Sequence, residues 1–144
     1  MPIKVEALDA TVQKTINLLD DVCAEFGWPE ERRFQAYSAL RSVLHPIRDR
    51  LTTTECANFA AQLPMLVRGF YYEGWKPESV PRKFHREEFL DEVQQHFQRS
   101  VDGGAAELVD GIVRVLSRHI EPGIIEKMKL EFPTDLRSLF DRAA

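Results

Sequence analysis

Two cysteines in 144 residues, Cys23 and Cys56, cannot staple a disulfide scaffold and fall short of a four-cysteine zinc site. The four histidines, His45, His85, His96 and His119, are scattered rather than clustered. Long apolar runs are missing as well. The longest uncharged stretch, Cys56 to Val67, is interrupted by Gln62 and Pro64 and does not reach the ~18 apolar residues that a membrane span requires. Glu6, Asp9 and Lys14 deny the N-terminal segment the apolar centre of a signal peptide. Positive charge is not in excess. The 23 acids against 19 bases give a net charge of −4, which argues against a general nucleic-acid binder. There is no Gly-x-Ser-x-Gly and no glycine-rich phosphate loop. What remains is a chain of 44% hydrophobic and 29% charged residues, enough for a real core. The expectation is one soluble, cytoplasmic domain over residues 1–144.

Apolar spacing predicts helices throughout. From Lys4 to Phe26 the positions Leu8, Val12, Ile16, Leu19, Val22, Cys23 and Phe26 recur at threes and fours, one buried stripe that Gly27 ends. A second helix starts at Pro29 or Glu30, with Phe34, Tyr37, Leu40, Leu44 and Ile47 as its stripe. Pro46 lies inside it and predicts a kink or an early end near His45. Thr52-Thr53-Thr54-Glu55 reads as a capping box opening a short helix to about Leu63. Pro64 opens another, ending near Tyr72. Two prolines and a glycine make residues 73–84 a loop. Further helices are predicted at Arg86–Gln98, Ala105–Arg118, Pro122–Glu131 and Pro133–Arg142. No run alternates as a strand does, so the fold class is all-α with about eight helices.

The chain also repeats itself. Shifted by about 69 residues, Val43 meets Ile112, Ile47 meets Leu116, Leu63 meets Phe132, Pro64 meets Pro133 and Arg68 meets Arg137. Upstream the offset grows by about two, and Leu18-Leu19-Asp20-Asp21-Val22 meets Phe89-Leu90-Asp91-Glu92-Val93. Two pseudo-repeated four-helix units follow, approximately 4–72 and 86–142 with a linker at 73–85, each too small alone and sharing one core.

The same residues carry a resemblance. Ala39-Leu40-Arg41-Ser42-Val43-Leu44-His45, then Ala60-Ala61-Gln62-Leu63-Pro64 through Phe70-Tyr71-Tyr72-Glu73-Gly74-Trp75, then Arg86-Glu87-Glu88-Phe89-Leu90, resemble the bacterial domain-of-unknown-function family 2267 over nearly the whole chain. Pro46 departs from the pattern. The resemblance implies a small helical bacterial protein and brings no activity, cofactor or catalytic residue.

Candidates for chemistry are few. Cys23 and Cys56 fall on apolar helix faces and read as small hydrophobes. Glu88, Glu92 and His96 share a helix face at spacings of four, but a solvated stripe explains them, and no metal or other cofactor is expected. Asp20-Asp21 and Asp91-Glu92 read as solvated acids or partners of nearby cations. Gly103-Gly104 reads as a link into the next helix rather than an anion cradle. Arg68 and Arg137 read as structural, holding carboxylates or helix-end carbonyls across the interface between the units, with a symmetric pair of anion or partner contacts as the other reading. Phe70 to Trp75 is the least ordinary segment. Tyr71, Tyr72 and Trp75 are candidate partner anchors, or Trp75 pins the loop.

No catalytic constellation is recognisable, so the leading expectation is a non-enzymatic protein-interaction or regulatory module, through a protein partner or self-association. Its candidate contacts are Tyr71, Tyr72, Trp75, Arg68 and Arg137. The alternative is a small-molecule or lipid-binding domain with a groove between the repeats, lined by residues such as Leu66, Phe70 and Phe140. An enzyme assembled from dispersed carboxylates and histidines stands third.

Overall fold

The computed structural model describes residues 3–141. Among them are eight α-helices and no strand: α1 (Glu6–Phe26), α2 (Arg33–Arg50), α3 (Thr53–Ala60), α4 (Met65–Tyr72), α5 (Arg86–His96), α6 (Gly104–His119), α7 (Ile124–Leu130) and α8 (Thr134–Asp141). The predicted all-α class holds, with helix ends within a few residues of expectation. Arg142, expected in the last helix, lies outside the described residues.

The local signals act as their chemistry dictates. Gly27 takes a left-handed backbone, φ 70°, which lets the Trp28 N–H donate to the Cys23 carbonyl at 2.8 Å and close α1. At α3 the Glu55 N–H donates to Thr52 Oγ1 at 3.3 Å while the Thr52 N–H donates to Glu55 Oε1 at 2.9 Å, a complete capping box. The early end expected near Pro46 does not occur, and α2 runs through it to Arg50. Leu44 and Ile47, on either side, are fully buried, and tertiary packing on both holds the turn whose hydrogen bond the proline removes.

Two expected stripes are placed differently. Phe34 is 75% exposed and Leu8 is exposed too, although both share a helical period with core residues. On α2 the inward set is Ala36, Ala39, Leu40, Val43, Leu44 and Ile47. Phe34 and Tyr37 begin a second apolar stripe, and periodicity alone cannot say which stripe faces in.

α2 and α6 form the centre, buried along most of their length. Around them α1 packs on α2, α4 and α6, while α5 packs on α6, α8 and α2. Exchanging the first four helices for the last four turns α1·α6 into α2·α5, α2·α4 into α6·α8 and α1·α4 into α5·α8, all of them observed pairs. α2 also meets α6, and α3 meets α7. Fully burying each Leu, Ile or Phe of this shared core is worth ~1.5–3 kcal/mol.

Candidate functional site

α4, Met65-Leu66-Val67-Arg68-Gly69-Phe70-Tyr71-Tyr72, carries one charge in eight residues. At 100° per residue, Val67 and Tyr71 point inward and both are fully buried. The Tyr71 hydroxyl donates to the Cys56 carbonyl at 3.0 Å and lies 3.2 Å from Cys56 Sγ. Burial pushes both the phenol and the thiol above their ordinary pKa ranges. Tyr71 therefore sits in the core and its ring presents nothing to a partner. Tyr72 is half-buried, its ring centre 5.2 Å from that of Trp75. Trp75 is half-buried as well, and its indole N–H is buried without a partner.

The C-terminal end of α4 is held from α2. The Phe70 carbonyl accepts from His45 Nε2 at 2.7 Å, so that nitrogen carries the proton. Buried Arg48 donates from Nη1 to the carbonyls of Tyr71, at 2.9 Å, and Glu73, at 2.8 Å. Its Nε pairs with Asp49 at 2.9 Å. Burial pulls the His45 pKa below its usual value, and its bond to the Phe70 carbonyl partly opposes that.

Arg68 and Arg137 act alike. Arg68 donates from Nε to the Ala60 carbonyl and from Nη2 to the Leu63 carbonyl, both at 3.0 Å. Arg137 donates from Nε to Lys129, at 3.3 Å, and from Nη2 to Phe132, at 2.9 Å. Donors and acceptors all stand about 69 positions apart. Each guanidinium supplies donors to helix-end carbonyls of its own half rather than across the junction between the halves, and the Ala60 and Lys129 carbonyls also accept from the Leu63 and Phe132 N–H groups.

The outer side of α4 is unlike the outer side of an ordinary surface helix. Met65 is 52% and Leu66 45% exposed, and exposed Gly69 lies at the centre of this side. Tyr72 flanks it on one side and half-buried Phe70 on the other. From Phe70 the face continues to Tyr37, with ring centres 5.0 Å apart, and on to Phe34, 6.0 Å further. Arg41, paired with Glu73 at 2.9 Å, lies 5.4 Å from the Tyr37 ring centre.

The expected groove lining does not assemble. Phe140 is fully buried against Phe89 and Phe132, while Leu66 faces solvent. An apolar slot does lie between α3 and α7, among Leu51, Phe59, Ile124 and Met128. Its volume is about 60 Å³, far below the ~300–1,000 Å³ of ligand sites. A larger polar cleft of about 410 Å³ lies between the end of α1, residues 100–102 and α6. It includes Trp28, which sits between Phe26, with ring centres 4.8 Å apart, and Phe97, at 6.0 Å.

The remaining candidates are engaged in structural contacts. Glu88 caps the His85 N–H at 3.0 Å, Glu92 pairs with Arg82 at 3.2 Å, and His96 Nδ1 donates to the Glu92 carbonyl at 2.7 Å. Among the described residues no three His, Cys, Asp or Glu side chains converge as metal ligands. Asp20 pairs with Arg33 at 2.8 Å, and that hydrogen bond holds its carboxyl below the usual range. Cys23 and Cys56 are buried free thiols. At Gly103 an added Cβ would lie 2.0 Å from Glu107 Cγ, so the chain's own side chain crowds that helix start. No described helix is long and apolar enough to cross a membrane.

Sequence reasoning missed Phe34, Gly69, Trp28 and Asp110. The signal lay in the internal alignment, at the places where aligned residues differ in kind rather than agree. A family model described as an uncharacterized conserved protein (DUF2267) matches residues 16–139. A search of curated proteins finds no match.

Proposed function

We propose that this chain, which belongs to the DUF2267 family, is a non-enzymatic protein-interaction module whose outer α4 face seats an amphipathic helix of a partner protein. The observation that supports this is a helix apolar on nearly all sides that stands at the surface. Helices of that kind are ordinarily covered.

The comparison with α8 sharpens the point. This reading takes α1–α4 and α5–α8 as structural repeats, an inference supported by the exchanged helix pairs and by the two arginines. In that alignment the inward residues agree, Val67 with Leu136 and Tyr71 with Phe140. The outward residues do not. Met65, Leu66, Gly69 and Tyr72 stand against Thr134, Asp135, Ser138 and Asp141. The fold is therefore content with a polar outer face at this place, and the apolar one on α4 answers to something else.

Gly69 fits a helical occupant. A glycine inside a helix costs ~1 kcal/mol relative to alanine. An added Cβ here would meet nothing within 4 Å, so the domain's own packing does not call for it. A missing side chain lets a second helix approach closely, with anchors at i, i+3, i+4 and i+7 reaching Leu66, Phe70 and Phe34. Tyr72 and Trp75 form the rim on one side.

The test transplants the α8 surface onto α4 as Met65→Thr, Leu66→Asp, Gly69→Ser and Tyr72→Asp together. A displayed library of 16-residue amphipathic helices is then selected against the parent domain. Binders that the parent retains and the substituted domain loses, at unchanged circular dichroism, are expected. A selection that yields none, or binders indifferent to the substitutions, refutes the proposal. A concentration-dependent dimer abolished by the same substitutions assigns the face to a second copy instead and also overturns it.

A further inference from the structure

The cleft between the end of α1 and the middle of α6 plays no part in that proposal. Its walls bring together Glu25, Asp102, Glu107 and Asp110 with a single cation, Arg114. Arg114 spans two of the acids, reaching Asp110 Oδ2 at 2.7 Å and Glu25 Oε2 at 3.0 Å. Arg118 also reaches Glu25 Oε1 at 3.5 Å, so two guanidiniums stand against four carboxylates and the cleft is left negative.

Asp110 itself indicates what is missing. The residue is 4% exposed. Arg114 takes one of its oxygens, and the other, Oδ1, is buried with no hydrogen-bond partner. A buried acceptor without a donor is costly, more so when it is charged, and native folds rarely leave one unmatched. The residue lines a space of about 410 Å³, within the range of small-molecule sites.

The acidity is not imposed by packing. The internal alignment sets Asp110 against Arg41, Arg114 against His45 and, upstream, Glu25 against His96. The corresponding places of the other half thus carry basic groups where this one concentrates acids. Phe26 and Trp28 also line the cleft, stacked on each other, with Phe97 on Trp28. The charged recognition groups are the carboxylates.

We propose that this cleft binds a small organic cation whose ammonium or guanidinium group donates to Asp110 Oδ1, with Asp102 adding charge at the rim. A bare divalent ion fits less well. It would need about six oxygen ligands in a tight shell, and no three acidic or histidine side chains converge here to begin one. An ammonium or guanidinium needs only directional acceptors.

Spermidine, agmatine and the peptide acetyl-Gly-Arg-Gly-amide are titrated into the full chain, with ¹⁵N amide shifts as the readout and MgCl₂ at matched ionic strength as control. Saturable shifts confined to residues 25–28 and 100–114 are expected. Asp110→Asn weakens binding by about tenfold or more, the scale of a lost hydrogen bond to a charged group. Asp102→Asn, on the exposed loop, weakens it by about two- to threefold without touching the core. Saturation by the free amines alone makes the ligand a free metabolite. Saturation by the peptide as well extends the same chemistry to a basic side chain. Absence of saturable shifts at the cleft, shifts that MgCl₂ reproduces, or affinity unchanged in both variants overturns the proposal.

Discussion

Alanine at two glycines, Gly111 and Gly69, is expected to move stability in opposite directions. Both lie inside helices with ordinary backbone angles, so alanine should gain ~1 kcal/mol of helix propensity at either site. At Gly69 nothing opposes that gain, since an added Cβ meets no atom within 4 Å. At Gly111 the same Cβ would lie 2.4 Å from Phe26 Cζ and 2.8 Å from Cε1. The ring would have to retreat by about 1 Å to regain a carbon–carbon contact of roughly 3.5 Å. It is not free to do so cheaply, because its far side stacks on Trp28 at 4.8 Å, which stacks in turn near Phe97. Overpacking of this kind costs ~1–3 kcal/mol, and loosening an aromatic pair costs ~0.5–1.5 kcal/mol. Set against the propensity gain, Gly111→Ala should destabilise by about 1–3 kcal/mol while Gly69→Ala stabilises by up to about 1 kcal/mol. Urea unfolding followed by circular dichroism measures both. Phe26→Leu combined with Gly111→Ala should recover part of the loss, because the smaller side chain yields space. A Gly111→Ala protein as stable as the parent, or a double variant whose losses simply add, refutes this account of the Phe26–Trp28 stack.

Other perturbations reach other parts of the fold. His45 has a folded pKa below the ordinary 6.5, chiefly through burial, so the unfolded chain takes up its proton first as pH falls. Its contribution is intact above pH 6.5 and is lost progressively below it. Thermal scans should show the parent losing more stability than His45→Gln between pH 7 and the lowered folded value, and equal losses would contradict the assignment. Arg68→Met removes the side-chain donor to the Leu63 carbonyl, and Arg137→Met those to the Leu130 and Phe132 carbonyls, and each should cost ~1–3 kcal/mol in chemical denaturation. Lysine at either place should not restore the loss, since one ammonium cannot reproduce a planar fork. Trp75→Ala removes a half-buried ring from Tyr72 and should lower stability by ~1–2 kcal/mol without abolishing the helical signal. An unchanged midpoint would mean that the indole pins nothing.

The parts of this architecture legible in the sequence were those set by local chemistry. Gly27 ends α1 because its backbone tolerates a left-handed turn, and Thr52 with Glu55 starts α3 because both satisfy donors three residues apart. Such features need no distant partner. The carbonyl-binding role of Arg68 and Arg137 was also within reach, because an arginine preserved between aligned halves points to a job that both halves share. Phe34 and Leu8 were misplaced for the complementary reason. A helix with apolar residues on two sides has two admissible inward faces, and only its neighbours choose between them. At Pro46 the early end, one of the two outcomes expected there, does not occur, as packing on Leu44 and Ile47 holds a turn that local chemistry disfavours.

For this protein, then, residue spacing and capping chemistry determined by themselves that the chain is all helical, where most helices begin and end, and which positions recur. Helix period and caps act within a few residues, so one chain suffices to read them. Only the tertiary structure decided which apolar stripe became core and which was left on the surface at α4. It also set Glu25, Asp110 and Arg114 from two distant helices around one cleft. Those outcomes depend on how eight helices share buried area and on charges 85 or more positions apart, distances at which no local rule operates.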